Sequence, residues 1–405
     1  MANKEKLKQK RVVVRKKKNI KPIIFSFVVI LIASAVLLYS GIIKSNNTDI
    51  KIIGADLSKK KVVSVYPRQY SDLHITDNAK TTNPKYMSLT FGNHSSLLGN
   101  AISSLKTTPG SQLDQIENGS WLWTPILQIT PDYRDKIISD SKKRGIKNLY
   151  LSIDSYLDIY IMPDGEEKNS KDKLFDSILT DFIQKANENG ITIDAEAGWR
   201  NWAELGNSYK AFVTLNYAIE FNKRHEAKFR GFQYDIEPYL LDYYSEDSKE
   251  VLGNFINLID ESVAKLDDSD LRLSVVIPEF YDGTYDNTPQ VFYAGQTLYP
   301  FEQILRVLDK REGSTILIMA YRNFTDGPNG SIDISKDEVT TANKYKTKII
   351  LALETGKVDP AYITFYNKSR TYFNKEKSAL EKAFQNNPSY GGVATHYINS
   401  LLEIN

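Results

Sequence analysis

The chain has 405 residues, a formal net charge of +2, and apolar and charged fractions ordinary for a folded protein, so it is long enough to bury a large core. Cysteine is absent, which excludes disulfides, thiolate metal sites and cysteine nucleophiles. Residues 1–21 hold ten Lys and Arg against one acid, so the remainder is net acidic and lacks the basic face that nucleic-acid binding requires.

The N-terminal segment predicts a single membrane anchor. Residues 23–43 form an uncharged apolar run of 21 residues, long enough to span the roughly 30 Å hydrocarbon layer. A basic cluster precedes the run, so the positive-inside rule places residues 1–22 in the cytoplasm as a basic tail and the rest of the chain outside the cell membrane. The alternative is a cleaved signal peptide, because Ala33-Ser34-Ala35 has the small-x-small form of a cleavage site.

Residues 44–117 are mixed in character, with a short apolar run and stretches rich in Ser, Thr and Asn, and they predict an extracytoplasmic stalk or small accessory region. Residues 118–405 then alternate short apolar runs with longer amphipathic segments, the pattern of βα units around a parallel sheet. The predicted strands are Trp121–Ile129, Asn148–Ile153, Ile191–Ala195, Gly231–Ile236, Leu271–Ile277, Thr315–Ala320, Lys348–Leu353 and Gly391–Ala394.

The strand count favours a closed (β/α)8 barrel, the TIM-barrel fold, preceded by the single transmembrane helix. Helical patterns separate the strands, at Pro131–Lys143, Leu174–Asn189, Lys249–Lys265, Asp337–Lys344 and Lys375–Phe384. An open doubly wound sheet is the alternative, but it usually carries a glycine-rich phosphate turn after its first strand, and none is present here.

Polar side chains gather where the predicted strands end, which is where a barrel of this kind places its active site. Because side chains two apart on a strand share a face, Asp235 and Glu237 are expected to point the same way. The candidates from these strand ends, for catalysis or substrate binding, are Asp154, Asp194, Glu196, Asp235, Glu237, Glu279, Tyr321, Arg322, Glu354 and His396. For any single acid the alternative is a helix cap or an ion pair with an arginine such as Arg322.

The segment from Gly231 to Tyr239, GFQYDIEPY, resembles the fourth-strand motif of the chitinase-like glycoside hydrolases of family 18. The resemblance implies that Glu237 is the general acid and that Asp235 positions an acetamido group of the substrate, which serves as the internal nucleophile. The end of strand six is similar to the family's Met-x-Tyr, which implies that Tyr321 assists that acetamido group.

The sequence departs from the family pattern at several positions. Arg230 and Gln233 stand where the family has two earlier aspartates, Arg322 follows the tyrosine in place of aspartate, and strand eight ends in His396-Tyr397 without tryptophan.

A second resemblance is to the large glycosidase clan with an acid/base glutamate ending strand four and a nucleophilic glutamate ending strand seven. Glu237 and Glu354 match those two positions, although Ile236 stands where that clan often has asparagine. Both resemblances imply that Glu237 donates the proton, and they differ over whether Glu354 is the nucleophile or a binding residue.

The predicted function is therefore a membrane-anchored, extracytoplasmic glycoside hydrolase that acts on a cell-surface, cell-wall or secreted polysaccharide. Asp235 beside Glu237 makes it costly to ionise both carboxyls, so one is expected to keep its proton. Aromatic rings near the strand ends, Trp123, Trp199, Trp202 and Tyr239, are candidates for stacking on sugars.

The four histidines show no metal-site spacing, and neither a serine elbow nor a phosphate loop is present, so no metal and no cofactor is predicted. The alternative function is a barrel that has lost catalysis and binds surface glycan or takes part in envelope or exopolysaccharide assembly.

Overall fold

The computed structural model of the protein describes residues 116–284 and 288–405. The predicted basic tail, the apolar run 23–43 and the stalk up to residue 115 lie outside the described residues. Within the described part of the chain, no helix is long and apolar enough to cross a membrane.

Eight parallel strands close into a barrel, and each pairs with its neighbours in parallel register. Closure is made by the first and last strands of the barrel, in which Glu117 lies opposite Gly392. The strands are β1 (Glu117–Leu122), β2 (Asn148–Ser152), β3 (Thr192–Ala197), β4 (Gly231–Tyr234) and β5 (Arg272–Pro278), then β8 (Thr315–Met319), β9 (Lys348–Glu354) and β10 (Tyr390–His396), with an antiparallel hairpin of β6 (Val291–Tyr293) and β7 (Gln296–Leu298) inserted after β5. The predicted (β/α)8 barrel is confirmed.

Helices follow the strands and cover the outside of the barrel. They are α1 (Pro131–Lys143), α2 (Tyr156–Tyr160), α3 (Glu166–Glu188), α4 (Tyr209–Arg224), α5 (Tyr244–Lys265), α6 (Pro300–Leu308), α7 (Lys336–Ala342), α8 (Arg370–Phe384) and α9 (Ile398–Glu403). Helix α1 has the bounds that its sequence predicts, because the Thr130 hydroxyl accepts a hydrogen bond from the Tyr133 N–H and Pro131 occupies the first turn.

The first predicted strand, Trp121–Ile129, is wrong in position. Strand β1 starts at Glu117 and ends at Leu122, and a 3-10 helix occupies Ile126–Gln128. Ile126 and Ile129 are buried in the core outside the barrel, so apolar residues extend past the strand and imitate its continuation. The correct register is set by pairing on both sides, since Ser120 lies opposite Leu149 on one neighbour and Thr395 on the other.

Alternation along the strands separates two cores. On β4, Phe232 and Tyr234 point outward into the large core between strands and helices, while Gln233 points into the lumen. The Trp121 indole N–H donates to Gln233 Oε1 across the lumen at 2.6 Å, although β1 and β4 are not neighbours. The lumen is thus filled by side chains, chiefly Trp121, Tyr150, Val276, Leu317, Met319, Tyr321, Ile350, Ala352 and Ala394. The polar mouth above this cluster is where chemistry is possible.

Candidate active site

Two carboxyl groups follow the C-terminal end of β4. Asp235 and Glu237 come directly after the strand, which ends at Tyr234, and Ile236 between them is buried in the outer core. They are 7% and 8% exposed, which leaves them enclosed but within reach of the mouth. The Tyr239 hydroxyl donates a short hydrogen bond to Glu237 Oε1. Both sequence-predicted carboxyls therefore lie enclosed just beyond the C-terminal end of β4.

The ends of β2 and β3 are fitted tightly around this pair. A Cβ atom at Gly198 would lie 2.2 Å from the backbone oxygen of Asp235, so only glycine allows β3 to approach β4 so closely. The Gly198 N–H donates to Asp154 Oδ1 at 3.1 Å. Glu196 is fully buried on β3, opposite Gln233 in register. Asp154 and Glu196 thus lie at the site, and Asp154 has a visible structural role there.

Glu354, at the end of β9, is buried beneath the opposite wall of the mouth. Its exposure is 0%, Oε1 accepts from the Gly356 N–H at 2.5 Å, and Oε2 lies 2.8 Å from His396 Nδ1. The Trp123 indole N–H donates to His396 Nε2 at 3.0 Å. An indole N–H can only donate, so Nε2 accepts and the imidazole proton resides on Nδ1, from which it is donated to Glu354.

This arrangement bears on two predicted residues. Both oxygens of Glu354 are engaged and the group is enclosed, which does not suit a nucleophile that must reach a sugar carbon. Both ring nitrogens of His396 are engaged as well, so its geometry favours support of the wall over direct substrate binding. The peptide bond between His396 and Tyr397 is cis.

Tyr321 and Arg322 follow the end of β8 and point in different directions. The Tyr321 ring joins the lumen cluster, 6.2 Å from the His396 ring between centroids. Arg322 turns away, donating to the Tyr321 carbonyl at 2.8 Å and to Glu279 Oε1 at 3.3 Å. Burial raises the pKa of the Glu279 carboxyl, and Arg322 opposes that rise. Arg322 and Glu279 therefore form an ion pair of the kind that the sequence left open as an alternative.

Asp194 lies at the other end of the barrel. It is the third residue of β3, in the N-terminal half of the strand, and it is bonded to Arg230 and to the Asn148 side chain. The prediction that Asp194 belongs with the strand-end acids rests on a predicted strand that ends at Ala195, two residues before the end of β3. The structure places it in an ion network that includes Glu117 and Arg230, away from the mouth.

The predicted aromatic platforms divide into two groups. Trp202 is 2% exposed and Trp199 is 9% exposed, both are packed in the outer core, and the Arg200 guanidinium covers the Trp199 ring at 4.9 Å. Tyr239 and Trp123 are instead half-buried against the lumen cluster at the mouth. The two mouth residues are the ones placed to meet a sugar.

The sequence reasoning missed Gln233 as a member of the site. Its Oε1 is held by Trp121, and its Nε2 is buried without a hydrogen-bond partner among the described residues. The period-two pattern through Asp235 and Glu237 was the signal that could have found it. Within the described ranges, no group of three or more His, Asp or Glu side chains is placed to hold a metal ion.

No protein-family model matches the sequence, and no curated protein matches it. Similar solved structures include an endo-1,4-beta-D-mannanase from Thermotoga petrophila RKU-1, at 11% identity and a TM-score of 0.47, over 70% of this chain and 87% of that chain. A GH18 chitinase from Pseudoalteromonas aurantia is 12% identical with a TM-score of 0.44, over 71% and 99% of the two chains. A D-psicose 3-epimerase from Clostridium cellulolyticum H10 is 12% identical with a TM-score of 0.40, over 71% and 90%. The similarity is one of fold, and it assigns no chemistry to this chain.

Proposed function

We propose that the protein is a glycoside hydrolase that uses Glu237 as its general acid. The observation that supports the proposal is the presence of two enclosed carboxyls, Asp235 and Glu237, directly after the C-terminal end of β4. Glycoside cleavage passes through an oxocarbenium-like transition state, and the leaving oxygen must receive a proton from an acid held beside it. The mouth of a (β/α)8 barrel is where such groups act.

The nucleophile in this proposal is the acetamido group of the substrate. Glu354 is the alternative nucleophile, but it is fully buried and both its oxygens accept hydrogen bonds from within the protein. In the proposal, Asp235, just beyond β4, and Tyr321, in the lumen cluster, orient and polarise the acetamido group. The preferred substrate is therefore a polysaccharide that contains N-acetylated sugars.

The setting of this activity is proposed to be the outer side of a cell membrane. The uncharged run 23–43 and the basic cluster before it support an anchor with its N-terminus in the cytoplasm. The polymer would then belong to the cell surface, the cell wall or a secreted matrix.

The proposed topology can be tested directly because the natural chain lacks cysteine. A single cysteine at Ser45 should react with a membrane-impermeant maleimide in intact cells, whereas one at Asn3 should react only after the cells are opened. Labelling of both in intact cells would contradict the proposed orientation.

A second candidate is a non-catalytic glycan-binding barrel. Two observations favour it: Arg230, at one family aspartate position, belongs to the ion network at the far end of the barrel, and Gln233, at the other, is tied to Trp121. A barrel without those aspartates could retain a sugar-binding mouth and lose the reaction.

The deciding experiment uses the full-length protein in detergent. Wild type and Glu237→Gln are incubated with chitooligosaccharides, peptidoglycan and bacterial exopolysaccharides, and new reducing ends are counted. Glu250→Gln, an exposed glutamate on α5, is the matched control. Release by wild type and control but not by Glu237→Gln supports the proposal. No release from any polymer, with equal binding by all three proteins, supports the glycan-binding alternative.

A further inference from the structure

We infer that Trp123 is the platform on which a sugar ring stacks in the mouth, and that Glu354 and His396 are positioning residues that hold its indole in place. The inference rests on the proposed function for its substrate class, a pyranose ring of a polysaccharide. It gives a role to the buried carboxylate of Glu354, which the proposed mechanism does not use.

The starting point is the cost of burying Glu354. A carboxylate with no solvent exposure is strongly disfavoured unless hydrogen bonds replace its hydration. Two bonds do so here, from the Gly356 N–H and from His396 Nδ1. The site therefore requires two acceptor atoms on residue 354, a demand that glutamate meets and glutamine does not.

Glu354 sets the polarity of the next bond. By accepting from Nδ1, it keeps the imidazole proton on that atom and leaves Nε2 as an acceptor. Nε2 then receives the Trp123 indole N–H at 3.0 Å. The indole has only this one polar atom, so the bond restrains the direction in which its N–H edge points.

His396 itself is immobilised. Its ring is 4% exposed, and the rings of Trp121, Trp123, Tyr321 and Tyr397 lie between 5.1 and 6.2 Å from it, centroid to centroid. A bonded imidazole surrounded in this way serves as a rigid spacer between Glu354 and the indole.

Trp123, which His396 holds through the indole N–H, lies near the mouth of the barrel. It follows the C-terminal end of β1, it is half-buried against the lumen cluster, and its indole is bonded to His396, whose ring lies 6.2 Å from the Tyr321 ring between centroids. Strand β10 ends without a tryptophan, whereas Trp123 follows the end of β1. Aromatic faces bind the apolar faces of sugars, so an indole held at the mouth orients a pyranose ring relative to Glu237.

The test measures the affinity of an N-acetylated chitohexaose for Glu237→Gln protein, in which cleavage is prevented, combined with substitutions in the relay. Trp123→Ala should weaken binding roughly tenfold, and Trp123→Phe should retain part of the affinity. Glu354→Gln should weaken binding severalfold because it puts a donor against Gly356 N–H or His396 Nδ1. In the Trp123→Ala background it should have no further effect, since it acts only through the indole.

A spectroscopic readout separates positioning from general damage. The chain has four tryptophans, so protein labelled with 5-fluorotryptophan should give four ¹⁹F resonances. The resonance that is absent from the spectrum of Trp123→Phe belongs to residue 123. Glu354→Gln should move that resonance most, whereas Glu250→Gln should move none, and thermal unfolding shows that the variants fold.

The outcomes distinguish this inference from the proposed function. The inference about Trp123 is overturned if Trp123→Ala keeps full affinity, or if Glu354→Gln causes a further loss in the Trp123→Ala background. A wild-type protein that does not bind the oligosaccharide overturns it as well. Binding that depends on Trp123, in a protein that releases no reducing ends from any polymer, supports the platform and rejects the hydrolase.

Discussion

The ion network at the N-terminal end of the barrel gives a sharp prediction about stability. Arg230 donates to both oxygens of Asp194, at 2.9 and 2.6 Å, and to both oxygens of Glu117, at 3.0 Å each. Asp194 also accepts from Asn148 and is 3% exposed. Arg230→Met would leave two carboxylates without the cation that bonds them directly, with Arg272 as a remaining cation nearby.

The expected cost is larger than that of a surface pair because the Asp194 side chain is 5% exposed and the Arg230 side chain 23%. Removing one member of a buried ion pair costs about 3–5 kcal/mol, whereas a surface pair is worth about 0–1 kcal/mol. Lys223→Met, which removes an exposed pair with Glu220, is the matched control. Urea denaturation followed by circular dichroism at pH 7 should show a much lower midpoint for Arg230→Met than for Lys223→Met.

Second substitutions that remove the stranded carboxylates test the cause of the loss of stability in Arg230→Met. Asp194→Asn with Glu117→Gln should restore much of the stability of Arg230→Met, because the stranded charges are then absent. Equal midpoints for Arg230→Met and Lys223→Met, or no recovery in the triple variant, would refute the argument from buried charge. The folded Asp194→Asn variant should retain the affinity of the mouth for chitohexaose, since Asp194 lies at the far end of the barrel.

Three further predictions concern other parts of the structure. Gly198→Ala should lower activity or glycan binding and lower the free energy of unfolding by about 1–3 kcal/mol, because its Cβ would collide with the Asp235 backbone. Gly206→Ala, with open space around it, should change neither function nor stability. Equal behaviour of the two variants would contradict the close approach of Gly198 to Asp235. Trp121→Phe should destabilise the barrel by about 1–3 kcal/mol through the unpaired Gln233 oxygen, as measured by urea denaturation, and Trp121→Phe with Gln233→Met should recover part of it. Burial, with Asp282 and Glu279 nearby, raises the pKa of Glu338 well above its usual range. The contribution of Glu338 to stability is therefore present below its unfolded pKa of about 4.3 and is lost as pH rises through its folded pKa. Glu338→Gln should therefore have a higher urea midpoint than wild type at pH 8, and a smaller advantage at pH 5; equal midpoints at pH 8 would show that the pKa of Glu338 is not raised.

Much of the barrel could be predicted because its signals are local. The apolar runs at Asn148–Ile153 and Thr315–Ala320 lie within a residue of β2 and β8, and the cap and proline at the start of α1 determine where that helix begins. Where apolar residues continue past a strand, as at Ile126, the apolar run predicts the wrong end for that strand. Burial against helices and burial within a sheet select the same residue types.

The position of Asp235 and Glu237 just beyond β4 could also be predicted, because the short apolar run that precedes them marks the strand. The separation of Asp194 from them could not be, since it depends on which half of β3 the residue occupies. That position follows from the register between strands, which is set by partners far away in the chain.

The sequence by itself determined the barrel, the absence of thiol chemistry and the acidic end of β4, because these depend on composition and on a period of two. Only the tertiary structure decided that Glu354 is enclosed, that His396 carries its proton on Nδ1, and that Trp123 rather than Trp202 lies at the mouth. Those features arise between residues more than forty positions apart, and they exist only once the closed barrel brings β1, β9 and β10 side by side.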